Sequence, residues 1–574
     1  MTFELPDKYN SIVVDYSIIR EMGGTSLFSA FLDYLVGSGK PVYVGKNFKL
    51  LHYCVIHQAD DKNYSVASSM RDFCSLLLAN QQLHTIQAVG FSDLIDKVEL
   101  LDSPCIVTTS RSIFIKRLFE HGRTGKAAVA ILSVEGIDLY DDIADCLDNM
   151  PQVVISPLAS QNKYLDASVF CNIGDTVMTG KQKPVTLVTR VSSGAEGMVF
   201  TTDNPKIVAK IYHRNVITPL RWSKLTRMVS MGIKSIGICW PQDLLFYKGI
   251  PVGYTMIMGK GKTLGNVFDG PDAIVNNFPA WKRIDIVETL IELLEKYIYL
   301  HMHDIVAGDI QLKNALLHSS NSVFLIDMDS VQVGNLPCPV GTEEFTDPAL
   351  WGKNFAGFLR KLQDEDYSIA MLVFSILFCG LHPYATRNGA ETLREEIIER
   401  NFPYTLDDSD EEHIPRGGYN YIWQYLPENI RKMLYSVFAK GERIEAIEWY
   451  EAVVDYKEIL AGHKIDDEEA YKVFPKMDYK MTAEAVEKKP VSQPVNVSYR
   501  SPFKGADDPN VYHGGISGLG RTNPEPKPSP FKPAGSQYVP KAAGNVPTQS
   551  ASNRQPDPDQ DSGLFKKFKK GLFG

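Results

Sequence analysis

The stretch that decides the fold is Ala307-Gly308-Asp309-Ile310-Gln311-Leu312-Lys313-Asn314, followed by Ala315-Leu316-Leu317 and then Val323-Phe324-Leu325-Ile326-Asp327. Asp309 and Asn314 are five residues apart, and Asp327 ends an apolar strand thirteen residues after Asn314. An asparagine and an aspartate at the two ends of a hairpin can share Mg²⁺, which takes hard oxygen ligands and substrate phosphates. The earlier aspartate can accept a proton from a hydroxyl. The spacing therefore predicts phosphate chemistry, with Asp309 as proton acceptor and Asn314 and Asp327 as metal ligands.

Two upstream segments extend this reading. Val191-Ser192-Ser193-Gly194-Ala195-Glu196-Gly197-Met198-Val199-Phe200 lies between strand-like runs. Small residues at 192, 194 and 197 let a hairpin close over phosphates with its backbone N–H groups. An ordinary glycine hairpin has the same composition. Ile207-Val208-Ala209-Lys210-Ile211-Tyr212 puts one lysine in an apolar strand. Such a lysine needs a partner, which a phosphate supplies, or else it snorkels from an edge strand.

Taken in order, these segments resemble the protein kinase family. Ser192, Gly194, Gly197 and Val199 resemble the Gly-rich loop, Lys210 the strand-three lysine, and Asp309, Asn314 and Asp327 the catalytic loop and DFG segment. Leu300-His301 resembles the dipeptide before the catalytic loop. Gly341-Thr342-Glu343-Glu344-Phe345-Thr346-Asp347-Pro348 resembles the end of the activation segment. Asp366-Tyr367-Ser368 and the apolar run Ile369 to Leu381 resemble the aspartate and buried helix of the C-lobe, and Arg443 fits the late arginine. The resemblance runs from Thr186 to about Gly462, roughly half the chain. It implies an α+β bilobal fold, ATP and Mg²⁺ as cofactors, and γ-phosphate transfer to a Ser or Thr hydroxyl of a protein substrate. Gly308 before Asp309 and the stretch Trp240-Pro241-Gln242-Asp243 resemble an atypical bacterial branch. Kinases of that branch imply two partners, a metal-dependent protein phosphatase and a von Willebrand A-type protein.

The sequence also departs from the pattern. Ser192 replaces the first loop glycine, Gln311 the catalytic-loop lysine, and Asp329 the glycine of DFG. Ala349 replaces the glutamate that usually pairs with the late arginine, so Arg443 is expected to lack its partner. No acidic residue lies between Lys210 and Asp243. The helix expected over Leu220 to Ser230 is basic, which leaves Lys210 to pair with Asp327 or Glu196. These departures keep a second reading open, a nucleotide-binding pseudokinase or interaction scaffold.

Residues 1 to 150 alternate strand-like and helix-like patterns, which predicts an α/β domain with a parallel sheet. Asp15 at the end of the first strand, and the late strand running into Ser110, resemble a PIN-like nuclease domain. Asp138 and Asp72 are candidates for its further acids, and a helix cap is the plain alternative for Asp15. Residues 151–183 read as a connector, 184–462 as the kinase-like domain and 481–561 as a disordered Pro/Ser-rich linker. Thirteen of the 33 prolines fall between Pro490 and Pro558, with Ser501-Pro502-Phe503-Lys504 and Ser529-Pro530-Phe531-Lys532 repeated inside. Such a segment cannot bury enough apolar surface to offset chain entropy. Residues 562–574 place Leu564, Phe565, Phe568, Leu572 and Phe573 on one helical face with four lysines opposite. That pattern predicts docking on a partner or a membrane surface.

The remaining composition is permissive. A net charge of −9 argues against a nucleic-acid glove. The 44% apolar content excludes wholesale disorder. Eight scattered cysteines lack zinc spacing and read as free thiols in a reducing compartment. The first ten residues carry no secretory pattern, so the expected location is cytoplasmic.

Overall fold

The structure is a computed structural model. It describes residues 3–59, 64–161, 164–165, 171–390, 392–407 and 413–476, all within one compact unit. The expected linker 481–561 and the expected amphipathic motif 562–574 lie outside the described residues.

The N-terminal strands are β1 (Ser11–Val14), β2 (Val42–Gly45), β3 (Leu83–Ile86), β4 (Pro104–Thr109), β5 (Ala128–Ser133) and β6 (Gly136–Tyr140). They form one sheet in the order β3-β2-β1-β4-β5-β6. The first five run parallel, and β6 closes the edge antiparallel to β5. Every residue of β1 and β4 is buried, so a continuous apolar run rather than alternation marks these central strands. β1 and β4 are neighbours although β2 and β3 lie between them in sequence. Their carboxyl ends therefore flank the point where the strand order reverses.

The next six strands are β7 (Thr176–Thr179), β8 (Pro184–Ser193), β9 (Gly197–Thr202), β10 (Ile207–Tyr212), β11 (Asp243–Tyr247) and β12 (Ile250–Ile257). All pair antiparallel, in the order β10-β12-β11-β7-β8-β9, and the ends of that series also pair. Val177, Leu187, Phe200, Ala209, Ile211, Leu245 and Val252 fill the interior. Since β7 belongs to this closed sheet, the lobe begins upstream of residue 184, inside the stretch read as a connector. The basic helix is present as Pro219–Met231. Thr218 starts it by accepting a hydrogen bond from the Arg221 N–H, and left-handed Gly232 ends it.

The lower lobe is helical. Its long helix is Arg283–Met302, and beside it lies the helix Leu362–Leu377. Every residue from Glu365 to Leu377 is buried, as a core helix within a globular lobe requires. No helix among the described residues is long and apolar enough to cross a membrane. The fold continues past residue 462, with Ala470, Val473 and Phe474 buried.

The N-terminal sheet unit packs on this lobe. Lys46 reaches Glu448 at 2.7 Å and Glu451 at 3.0 Å, and His57 Nδ1 lies 2.6 Å from the buried Glu295 carboxylate. Arg117, from the helix Ile113–His121, donates to Asp366 with both terminal nitrogens, the Nη2 bond measuring 2.8 Å. The two side chains are 3% and 1% exposed, so this is a fully desolvated ion pair. One turn further on, Glu120 accepts from the backbone N–H groups of Leu362 and Gln363 and so caps the Leu362–Leu377 helix.

Candidate active site

The loop between β8 and β9 closes where the sequence placed it. Ser192 pairs with Val199 and Ser193 with Met198, and Gly194 N–H donates to Gly197 C=O at 2.9 Å. A Cβ at Gly197 would lie 2.5 Å from the Ile211 carbonyl oxygen, so glycine lets β10 approach. A Cβ at Gly194, by contrast, would meet only the Gly197 carbonyl oxygen at 4.0 Å, and the Gly194 carbonyl lies 2.9 Å from His213 Nε2. Glu196 folds back from the tip. Its carboxylate takes Arg221 of the basic helix, and its second oxygen lies 4.0 Å from Lys210 Nζ.

Lys210 is buried in the middle of β10, 7% exposed in its side chain. It pairs with Asp329 at 2.7 Å and with Asp327 at 3.2 Å. Burial alone would lower the ammonium, but the Asp329, Asp327 and Glu196 carboxylates outweigh it and hold Lys210 above its ordinary value. Asp329 also accepts from the hydroxyls of Tyr212 (2.5 Å) and Tyr254 (3.0 Å). Burial would raise its carboxyl, yet Lys210 and Arg221 hold it well below the usual carboxylate range. Pairing with Asp327 and proximity to Glu196 were both expected. Asp329, the closest partner, was missed, because its position was read only as a lost glycine.

The basic helix does other work. Lys224 donates to the carbonyls of Ser330 (3.0 Å) and Pro337 (2.5 Å), fastening the segment after Asp327. No carboxylate pairs with it in those bonds, and burial drops its ammonium to about 8.

Asp309 is held by three side chains. Oδ2 accepts from Gln311 Nε2 and from Asn314 Nδ2, each at 2.9 Å, and Oδ1 accepts from the Thr342 hydroxyl at 2.9 Å. Gln311 thus supplies a neutral donor where the pattern has a lysine. Asn314 Nδ2 also binds the Asp309 carbonyl at 2.9 Å, and Asn314 C=O accepts from Ile326 N–H, tying the Asp309 loop to the Asp327 segment. Asp327 is left-handed (φ 56°, ψ 35°) and its side chain is 55% exposed. That backbone is costly for a non-glycine residue and persists where the surroundings enforce it.

The loop before Asp309 hangs on Glu365. Its carboxylate accepts from Gly308 N–H at 2.5 Å and lies 2.8 Å from His301 Nε2. Burial would raise Glu365, but the bonds from His301 and from the Gly308 and Ala307 backbone hold it below its ordinary value. Asp366, which the sequence reading matched to the C-lobe aspartate, faces Arg117. Gly308 has φ +76°, and a Cβ there would lie 2.6 Å from Cys338 Sγ, so the usual arginine has no room. Arg443 is not left alone either, since Asp347 pairs with it in place of the missing glutamate.

The nuclease-like acids do not assemble. Asp15 Oδ2 accepts from Thr108 Oγ1 at 3.0 Å and from Ser17 N–H at 3.1 Å, just ahead of the helix Ser17–Met22, whose N-cap position is Tyr16. Burial pushes its carboxyl up, against the hydrogen bonds from Ser17 and Thr108. Asp138 is exposed on the edge strand β6, three strands from β1, and Asp72 and Ser110 are exposed. Among the described residues, only His57, Glu292 and Glu295 bring three metal-capable groups together, and Asp15 is not one of them.

The residues that form this cleft follow a protein-kinase-like order, and the sequence comparisons support a protein-kinase-like family for part of the chain. Over 284 residues, 46% of the chain, it is 29% identical to Protein kinase YegI of Escherichia coli strain K12, covering 43% of that protein. Over 251 residues it is 29% identical to Protein kinase YegI of Escherichia coli O157:H7, covering 40% of the chain and 38% of the relative. The match therefore spans less than half the length of either curated relative. One solved structure, the ROP18 kinase domain in complex with AMP-PNP and sucrose, aligns with 50% of this chain and 85% of its own at 13% identity and a TM-score of 0.34. No protein-family model matches the chain.

Proposed function

We propose that this chain is a cytoplasmic protein kinase that transfers the γ-phosphate of Mg-ATP to a Ser or Thr hydroxyl of a protein. The observation that carries the reading is Asp309. Its carboxylate is fixed by Gln311, Asn314 and Thr342, and the Asn314 carbonyl ties this loop to the segment of the exposed Asp327 through Ile326 N–H. A carboxylate so oriented accepts the hydroxyl proton as the new O–P bond forms. Lys210 contacts the α- and β-phosphates, and the backbone from Ser192 to Val199 covers them.

The donor set fits Mg²⁺. Asp327 offers a solvent-facing carboxylate, and Asn314, with its Nδ2 spent on Asp309, offers Oδ1. When bound, the metal neutralises charge developing on the β- and γ-phosphate oxygens. Asp327 and Asn314 keep that charge next to the hydroxyl that Asp309 orients.

A second reading has an observation of its own. Lys210 already has Asp329 and Asp327 as partners, and Glu196 stands 4.0 Å away where phosphates must enter. A nucleotide-binding pseudokinase tolerates such a neutralised lysine. The test is ATP turnover and autophosphorylation by the full chain, wild type against Asp309→Ala. An active kinase should lose about 10²–10⁴-fold on losing its base. Equal, near-background signals would sink the enzyme reading, and a thermal shift with Mg-ATP would then favour the pseudokinase.

Ser501 and Ser529 are proposed phosphoacceptors on reach alone. A metal-dependent phosphatase and a von Willebrand A-type protein are proposed as partners from the family resemblance. Docking of residues 562–574 on a partner protein rests on their amphipathic pattern. No RNA cleavage is proposed, because Asp15 stands apart from Asp72 and Asp138.

A further inference from the structure

The loop between β8 and β9 carries an anion of its own. Glu196 stands at the tip between Gly194 and Gly197, and its backbone is pinned. Its carbonyl accepts from His213 N–H at 2.8 Å, and Gly194 N–H closes the turn on Gly197 C=O. Its carboxylate spans two cations. Oε1 accepts from Arg221 Nη2 at 2.5 Å, and Oε2 lies 4.0 Å from Lys210 Nζ. Arg221 belongs to the first turn of the basic helix Pro219–Met231, and its guanidinium lies 5.1 Å over the Tyr212 ring. Burial alone would disfavour its charge, and the Glu196 carboxylate is the foremost group that offsets this.

A carboxylate between two cations marks an anion site whose donors face it. Two oxygens of a phosphate can take the places of Oε1 and Oε2, and a guanidinium fork suits phosphate geometry. The three carboxylates around Lys210 differ in their freedom to leave. Asp329 is 1% exposed and is tied by the hydroxyls of Tyr212 and Tyr254. Asp327 sits on a fixed left-handed backbone and faces solvent as the metal's carboxylate. The Glu196 side chain is 28% exposed, and its carboxylate can swing away by rotamer change while the pinned backbone stays put. Two cations face three carboxylates, so the cluster is net negative before any phosphate arrives. An entering polyphosphate is repelled until one carboxylate withdraws.

We infer that Glu196 occupies a phosphate subsite formed by Arg221 and Lys210, and that a nucleoside triphosphate binds by displacing it. Arg221 thereby becomes a phosphate ligand, and the helix without a glutamate has a use for its positive charge. The exchange replaces one set of ionic contacts by another, with the Glu196 carboxylate passing into water. This subsite rests on the nucleotide-binding part of the proposed function, which the kinase and pseudokinase readings share.

Isothermal titration calorimetry on the full chain, with Mg-ATP and separately with adenosine, tests it. Glu196→Gln keeps an acceptor oxygen for Arg221 and removes the competing charge. It should tighten Mg-ATP about tenfold, the equivalent of one charge-assisted hydrogen bond. Adenosine, which has no phosphate, should bind both forms within about twofold. Adding Arg221→Met to Glu196→Gln should weaken Mg-ATP about tenfold again and leave adenosine unmoved. Glu196→Ala serves for the first comparison should the glutamine variant not fold. Mg-ATP binding that is unchanged or weaker in the Glu196 variant, or a gain shared equally by adenosine, would overturn the displacement. Mg-ATP binding indifferent to Arg221→Met would overturn the subsite. If neither ligand binds any form at about 10 mM, the nucleotide reading itself falls and takes the subsite with it.

Discussion

Replacing Asp329 by asparagine keeps the side chain's volume and removes its charge. The effect follows from the contacts. Asp329 is 3% exposed and accepts from Lys210, Tyr212 and Tyr254. Lys210 would keep Asp327 at 3.2 Å, but that carboxylate is half in solvent, and Glu196 at 4.0 Å is already taken by Arg221. Breaking one side of a buried pair costs about 3–5 kcal/mol. The amide also turns an N–H₂ toward at least one donor, adding about 1 kcal/mol. Urea unfolding at pH 7 should show a loss of about 4 kcal/mol. The double variant Lys210→Met, Asp329→Asn should lose less than the sum of the singles, by roughly 1–3 kcal/mol. The pH dependence has a definite sign. The Asp329 carboxyl is held low in the fold, so its contribution is complete above the unfolded value near 4 and fades as pH falls through the folded one. The difference between wild type and variant should therefore be flat from pH 8 to about 5 and shrink only below about 4. A loss under about 1 kcal/mol, or a difference that changes near neutrality, would refute the assignment of Asp329 as the partner of Lys210.

Further outcomes are expected. Arg117→Ala strands Asp366 in the interior and should cost about 3–5 kcal/mol in thermal or urea unfolding; Arg117→Met with Asp366→Leu should recover most of it. Lys224 binds its proton less tightly folded than unfolded, so raising pH from about 8 to 10.5 should stabilise the fold. Lys224→Met should flatten that slope, removing at most about 3 kcal/mol of pH dependence in urea titrations. Thr342→Val frees one oxygen of Asp309 and should reduce phosphotransfer about tenfold in kcat with little change in the KM for ATP.

Sequence reasoning reached Asp309, Asn314 and Asp327 because a strand–loop hairpin fixes their spacing. It reached Gly197 because a glycine beneath a strand crossing is needed whatever the partner. It did not single out Glu365 beside Asp366. Two adjacent acids on a helix buried all round differ by about 100° in direction, and no periodicity says which one faces the catalytic loop. Arg443 was predicted unpaired because its partner was sought at residue 349, whereas Asp347 reaches it from two residues upstream. The six-strand order of the N-terminal sheet was open in the sequence, but its parallel character was legible from the alternation of strand-like and helix-like segments. Arg117 carried no local signal. A basic residue on a short helix reads as surface until the lobe that buries it is known.

The Arg117–Asp366 pair joins residues 249 apart in sequence. During synthesis at about 5–20 residues per second, Arg117 and its sheet leave the ribosome roughly 10–50 s before Asp366 follows. For that interval the face that will meet the lower lobe is in water, with its cation solvated. The N-terminal sheet then waits as a half-finished template, and the Leu362–Leu377 helix receives its N-terminal cap from Glu120 only on arrival. Assembly order is thereby written into the chain, and a nascent chain stalled between these points is the form most open to capture by chaperones.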